Sequence, residues 1–243
     1  MTEENFNRLL SFSQAFLLPA FQACRFPGGP NHPRQPISSY FYRCSILVST
    51  MYELLHQKVS EIIHITEAEF SFCKTLFLPK KLRKKQYLLQ DGDVAKYTAF
   101  VEKGLLRTYS VDEKGNEHIL QFSQEGWWVS DLYSFLTNEP SLYQIEAMED
   151  CELLLISKSS WDLLLEKVPA FERYFRILIQ NSLIVTQRRL MGTLSETAEQ
   201  KYTRFLQSYP DCTQRVPQHM IASYLGITRE TLSRIRSQIA SRK

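Results

Sequence analysis

The chain has 243 residues, 44% of them hydrophobic, enough apolar content for one large domain or two ordinary ones. Its net charge of +3 is unevenly placed: residues 215–243 carry six basic side chains and one acid, a net +5, which leaves −2 for the preceding 214, the balance of a basic recognition module on a neutral body. Five scattered cysteines (Cys24, Cys44, Cys73, Cys151, Cys212), no apolar run of membrane-span length and an acidic "MTEEN" start speak against a zinc site, a disulfide framework, a membrane span and a signal peptide, and point to a reduced, cytoplasmic protein.

Residues 1–50 include "CRFPGGPNHPRQP", with four prolines and two glycines in thirteen residues, which rules out a regular helix or central strand there. They are expected to be a disordered or non-native extension, with Met51 as an alternative natural start because coherent periodicity begins at that point. From Met51 to about Phe77, Leu54, Leu55, Val59, Ile62 and Ile63 recur at helical spacing and predict one or two short helices. The basic run "KKLRKK", residues 80–85 behind Pro79, reads as a solvated lead-in to a β-rich region, although such a run could also attract DNA or a membrane surface.

Glycines then fall at 92, 104, 115 and 126, in steps of 12, 11 and 11, between segments rich in aromatic and β-branched residues: "KYTAFVEK", "LLRTYSV", "EHILQF" and "WWVS". Turns at that interval predict an antiparallel sandwich or barrel, with a hairpin at "EKGNE" and completion by "YQIEAM" and "CELLLIS". A short helix over Trp161–Leu165 is expected next, ended by the proline of "KVPAF". A longer helix should run from Ala170 to about Thr193. On it Phe171, Tyr174, Leu178 and Val185 form one stripe, with Ile177, Ile184 and Met191 beside it, so that one stripe can face the β-unit and the other a second copy of the helix. From Glu196 to Lys243 three more helical patterns follow, broken at "SYPDC" and "LGI", with Ser195 and Glu196 reading as a helix start.

The stretch "YLGITRETLSRIR" carries the most chemistry. Ile221 and Leu225 would face inward on a first helix, Ala222 would allow close approach, Gly226 would take a tight turn, and Leu232 and Ile235 would anchor a second helix, the spacing of a helix-turn-helix. Thr228 can cap that second helix. At about 100° per residue, Arg229, Glu230, Ser233, Arg234 and Ser237 then share one sector, opposite Leu232, Ile235 and Ile239. Arginine can bond guanine O6 and N7 together, and glutamate can accept from the cytosine amino group. Arg236 is placed for a phosphate, as His219, Arg215 and Arg242 could be. The expected DNA-binding residues are therefore Thr228, Arg229, Glu230, Ser233, Arg234 and Arg236. The plainer alternative is an amphipathic helix with a solvated charged face.

With these residues in view, the sequence from Met51 onward resembles the Crp/Fnr family of bacterial transcription regulators, most specifically in "TRETLSRI", where the family's base-reading Arg, Glu and second Arg fall on Arg229, Glu230 and Arg234. The resemblance implies an α+β fold: an antiparallel, jelly-roll-like β-roll sensor with N-terminal helices (51–160), a dimerisation helix (161–195) and a helix-turn-helix domain (196–243). It implies double-stranded DNA and a second copy of the chain as partners, and RNA polymerase as a further one. Where cyclic-nucleotide-binding members carry Gly-Glu-Leu and then Arg-Ser, this chain has Ser130, Asp131, Leu132 and then Ser141, Leu142. The phosphate would lose its arginine, a charge-assisted contact hard to replace in a buried pocket, so cyclic AMP is not expected to bind tightly.

The candidate ligand-binding residues are Trp128, Ser130, Asp131, Leu132 and Ser141, near an aromatic group of Trp127, Tyr133 and Phe135. No cofactor is predicted and the effector is left unassigned: the cysteines are too dispersed for an iron–sulfur cluster, and His118 is the β-unit's lone histidine and more typical of structure than of haem ligation. With the given sequence ending soon after the recognition helix, fewer backbone contacts from a wing hairpin are expected. The rival reading is a cupin-like metal-dependent enzyme or small-molecule-binding protein, which commonly needs several histidines where this β-unit offers one. No nucleophile motif or phosphate-binding glycine loop is visible.

Overall fold

The computed structural model describes residues 52–241; the expectations for residues 1–50, for Met51 as a start, and for Arg242 lie outside them. Two short helices, α1 (Glu53–Ser60) and α2 (Glu67–Leu76), lead in. Thr66 caps α2 in a capping box with Glu69, two donors at the helix start being satisfied reciprocally. Eight strands follow: β1 (Leu78–Leu82), β2 (Tyr87–Leu89), β3 (Tyr97–Lys103), β4 (Leu106–Val111), β5 (Glu117–Ser123), β6 (Trp128–Val129), β7 (Gln144–Ala147) and β8 (Cys151–Ser157), with a short helix α3 (Leu132–Thr137) between β6 and β7. They form two antiparallel four-stranded sheets, ordered β1-β8-β3-β6 and β2-β7-β4-β5.

Each strand's two-residue period divides its side chains between layers. In β8, Leu153 and Leu155 point into the space between the sheets while Leu154 and Ile156 face the helices. That is why "CELLLIS" has no polar alternation: both faces are covered. The inter-sheet layer is Leu82, Leu89, Ala99, Val101, Leu106, Val129, Phe135, Ile145 and Ala147 with the two β8 leucines. In β5 the alternation breaks, because Thr108 opposes Gln121 while Tyr109 opposes Ile119. Leu120 is thus the extra residue of a β-bulge, and the slip puts Ile119 and Phe122, three apart, on the same outer face.

The basic run at residues 80–85 is solvated as expected, Lys80, Lys81, Arg83, Lys84 and Lys85 being exposed, but its first three residues also form part of β1. The basic run supplies an edge strand on β8, with Lys80 and Lys81 exposed and Leu82 turned inward, charges suiting an edge that must not recruit another strand.

Beyond the roll come α4 (Lys158–Lys167), capped by Ser157 and beginning three residues before Trp161, and α5 (Ala170–Ser195). Phe171, Tyr174 and Phe175 of α5 are buried with Phe100 and Ile156. Val185 belongs to the same sequence stripe but is 59% exposed, because by that turn α5 has run past the sheet that buries its first two turns. Four helices complete the chain: α6 (Ala198–Ser208), α7 (Cys212–Arg215), α8 (Gln218–Leu225) and α9 (Arg229–Ser241). Ser195 is the last residue of α5, and the next helix is started by Thr197 through a capping box with Gln200.

Gly104 joins β3 to β4 at φ +99°, and a Cβ there would lie 2.6 Å from Cys151 Sγ and 2.9 Å from the Asp150 carbonyl. Both the left-handed backbone and the close approach require glycine. Gly104→Ala is expected to lower unfolding free energy by about 2 kcal/mol or more, from backbone strain alone before the clash, read as a lower denaturant midpoint; an unchanged midpoint would contradict this packing.

Candidate nucleic-acid interface

The C-terminal helices are built around one buried face. Tyr202 and Phe205 of α6, Tyr209, Cys212 and Val216, Ile221, Ala222 and Leu225 of α8, and Leu232 and Ile235 of α9 form a single apolar cluster. Gly226 ends α8 in the left-handed conformation at φ +66°, and the Ile227 N–H returns to the Ala222 carbonyl at 3.1 Å, a glycine-closed helix end. Thr228 accepts from the Thr231 N–H at 3.2 Å, the N-cap bond that starts α9. With its apolar side taken by the cluster, α9 turns Arg229, Glu230, Ser233, Arg234 and Ser237 to solvent, and Arg236 lies half-buried at the edge.

The exposed sector is chemically ordered. Glu230 is held below the usual carboxylate range by its backbone N–H bond at the helix start, then by the Thr228 hydroxyl and the charges of Arg229 and Arg234. It is therefore an acceptor at neutral pH, flanked by two guanidinium donors. Arg234 reaches the Thr231 hydroxyl at 3.5 Å, and His219, at the start of α8, is exposed.

Arg215 is the exception among the expected phosphate contacts. Its guanidinium bonds both oxygens of Glu125, at 2.9 and 3.0 Å, and both oxygens of Glu149. Two carboxylates from the roll occupy it, so it fastens the helices to the roll instead of facing a phosphate. A second inter-element tie is Ser223, which accepts from Ile119 N–H at 3.1 Å and donates to the Glu117 carbonyl at 2.7 Å. Another arginine, Arg107 in β4, is buried, donates to Glu146 at 2.7 Å and to Glu117 at 3.1 Å, and lies over the Tyr109 ring at 4.0 Å. Reading the sequence passed over Arg107; its signal was an arginine inside the apolar strand "LLRTYSV".

The five candidate ligand residues of the roll are only partly gathered. Asp131 and Ser141 meet: one Asp131 oxygen accepts from the Ser134 N–H at 3.2 Å, capping α3, and the other accepts from the Ser141 hydroxyl at 2.7 Å, both residues being buried. Ser141 is tied further by its N–H to the Asp93 carbonyl and by its carbonyl to the Gly92 N–H, each at 2.9 Å. Ser130 turns its hydroxyl to the Tyr97 carbonyl, and Leu132 is 45% exposed.

Trp128 stands apart, among Phe77, Phe100, Trp161 and Phe175, with its indole N–H on the Tyr174 hydroxyl at 3.1 Å. It belongs to the seam between roll and α5. Trp127 stacks near Tyr209 at 5.5 Å, Phe135 fills the roll interior, and Tyr133 is 66% exposed. His118 pairs with Asp112 at 3.0 Å on the β4–β5 hairpin. Burial pushes the Cys73 thiol up to about 12 and those of Cys151 and Cys212 to about 11, so all three stay protonated at neutral pH.

Residues 79–168 match the family model described as the cyclic nucleotide-binding domain. The regulatory protein HlyX of Actinobacillus pleuropneumoniae is 27% identical over 169 residues, 64% of this chain and 69% of its own. The cAMP-activated global transcriptional regulator CRP of Escherichia coli is 24% identical over 168 residues, 64% of this chain and 79% of its own. In fold, FixK2 from Bradyrhizobium japonicum matches with a TM-score of 0.58 at 21% identity, over 68% of this chain and 85% of that one. A β-roll joined through a long helix to a helix-turn-helix fits the transcription regulators to which the chain is similar. These similarities support a regulator of the Crp/Fnr type, with a cyclic nucleotide-binding domain at residues 79–168. Its relatives are transcription regulators and not enzymes, which removes the cupin-like metal-dependent enzyme as a reading.

Replacing Asp131 by alanine would strand the buried Ser134 N–H and leave the Ser141 hydroxyl only its contacts with the Tyr143 backbone. An unsatisfied buried donor costs about 1–3 kcal/mol. Asp131→Ala should lower the urea midpoint accordingly and Asp131→Asn, which keeps an acceptor, by less; equal midpoints for all three proteins would show that these bonds do not support the fold.

Proposed function

We propose that the protein is a homodimeric, sequence-specific DNA-binding transcription regulator acting in the cytoplasm, divided into a roll at 51–160, a dimerisation helix at 161–195 and a helix-turn-helix domain at 196–243. The observation that carries this reading is the division of α9: Leu232 and Ile235 are buried while Arg229, Glu230, Ser233 and Arg234 face solvent. Arg229 and Arg234 read guanine edges, Glu230 accepts from cytosine, Ser233 bonds a base edge, and Thr228 and Arg236 hold the backbone. RNA polymerase is a further partner on this reading.

The homodimer reading is supported by the free part of α5. Ile179, Leu183, Leu190 and Leu194 are all more than half exposed and recur at steps of four, seven and four, which places them on one stripe fit for a second copy. Two copies joined there would present two α9 helices to successive major grooves, about 34 Å apart.

Alanine at Arg229 or at Arg234 should each weaken binding to the selected site by about 1–3 kcal/mol and relax preference at one base position, measured by competition between the selected duplex and single-base variants. Equal losses on selected and random duplexes would overturn the assigned roles.

The relative from Escherichia coli is described as cAMP-activated. For this chain we propose a roll not tuned to cyclic AMP, because the position expected to supply the phosphate's arginine is Ser141, whose hydroxyl is engaged by Asp131. Titration calorimetry with cyclic AMP should therefore show no tight binding, and a submicromolar dissociation constant would refute it.

A further inference from the structure

Arg189 lies on α5 next to Leu190 but about 100° round the helix, half-buried where Leu190 is exposed. Its guanidinium reaches two other elements at once. One terminal nitrogen donates to the carbonyl of Leu120, and the other to the Ile119 carbonyl at 3.3 Å and the Tyr224 carbonyl at 3.1 Å. The plane also lies over the Tyr224 ring at 4.1 Å, while Tyr224 packs on Phe122, Phe205 and Tyr209. No carboxylate pairs with Arg189 among the described residues; its donors go to carbonyl oxygens on β5 and on the first helix of the helix-turn-helix.

The bulge explains why the Leu120 oxygen is available. Leu120 is the extra residue of β5, and a bulged residue loses its ladder partner. Its carbonyl is then free to take another donor. Arginine suits the position because its planar fork holds several donors in a fixed arrangement, whereas a lysine ammonium is a single flexible point charge. Arg215 and Ser223 also tie the C-terminal helices to the roll, and Arg204 ties α6 to α5 through the Arg188 carbonyl. Arg189 joins α5, β5 and α8 in one contact.

We infer that Arg189 is a positioning residue for DNA recognition: it fixes the angle between the long helix and the helix-turn-helix, and so the separation at which a dimer presents its two α9 helices. The inference rests on the reading of the chain as a dimeric DNA binder. Arg189 touches no base; it acts through α8, which carries α9 across the Gly226 turn. A joint of this kind should govern tolerance to half-site spacing and leave the choice of bases within each half-site alone.

The test uses the full chain and duplexes enriched from a random pool by the wild-type protein, rebuilt with one to three base pairs added or removed between the half-sites. Wild type should prefer its own spacing over neighbouring ones by about tenfold or more, and Arg189→Ala should reduce that preference to about twofold. Sedimentation should still show a dimer, and base preferences within one half-site should be unchanged. If Arg189→Ala does not fold, Arg189→Lys is expected to broaden the spacing profile in the same direction. An unchanged spacing profile in the folded variant overturns the inference, as does an equal loss on single half-sites without any change in spacing preference. Failure of wild type to enrich any sequence is a different result: it would bring down the DNA-binding reading, and this inference with it.

Discussion

The outer face of the β4–β5 hairpin and the C-terminal helices bury one another through a shared ring cluster, and the placement of every charged group on α9 depends on that burial. Phe122 is its centre: fully buried, it meets Phe205, Tyr209 and Tyr224 at centroid distances of 5.6–6.3 Å. Aromatic pairs in these tilted and edge-on arrangements add about 0.5–1.5 kcal/mol each to the area they remove from water. The cluster extends through Leu225 to Leu232 and Ile235, so the rotation of α9 about its own axis is decided by apolar packing. The outward direction of Arg229 and Arg234 follows from it. Arg229 and Arg234 take no part in that apolar packing, which leaves their guanidinium groups open to a partner.

The ionic ties around this cluster set its register. Arg215 bridges Glu125 and Glu149, and Arg107 links Glu146 and Glu117 beneath Met220. A largely buried arginine such as Arg107 carries a large desolvation cost that its two carboxylates offset, so its net effect on stability is smaller than its contacts suggest. Its geometric effect is sharper, because a guanidinium between two carboxylates tolerates little sliding of one strand on another. The roll and the C-terminal helices are thereby coupled through directional contacts as well as through apolar area.

The strands from β3 to β8 were legible in the sequence, because glycines at 92, 104, 115 and 126 separated segments of the right length and each took a positive φ. The helix-turn-helix was legible because glycine, small residue, cap and anchors sit within about a dozen positions. β1 and β2 were not, since an edge strand's lysines carry no hydrophobic alternation. The roles of Arg107, Arg189 and Arg215 were hidden for a different reason: Arg189 bonds a carbonyl 69 residues away and Arg215 a carboxylate 90 away, and no local pattern encodes such partners. Asp131 was found by resemblance, but its part as an N-cap that also holds Ser141 required the fold to bring residues ten apart together.

The long helix raises a question of stability that the monomer alone does not answer. At about 1.5 Å per residue its 26 residues extend about 39 Å, yet Phe171, Tyr174 and Phe175 near its start and Gly192 near its end are its buried members. Between them Ile179, Leu183, Ile184, Val185, Leu190 and Met191 are all exposed. Most helical stability in proteins comes from packing an apolar face. Arg189 anchors one side of this span to β5 and α8, but the leucine and isoleucine stripe on another side has no cover within the described residues. On the dimeric reading the same stripe that would hold two copies together would also stabilise the helix on which Arg189 sits. Association and the aim of the reading helices would then be linked through one element.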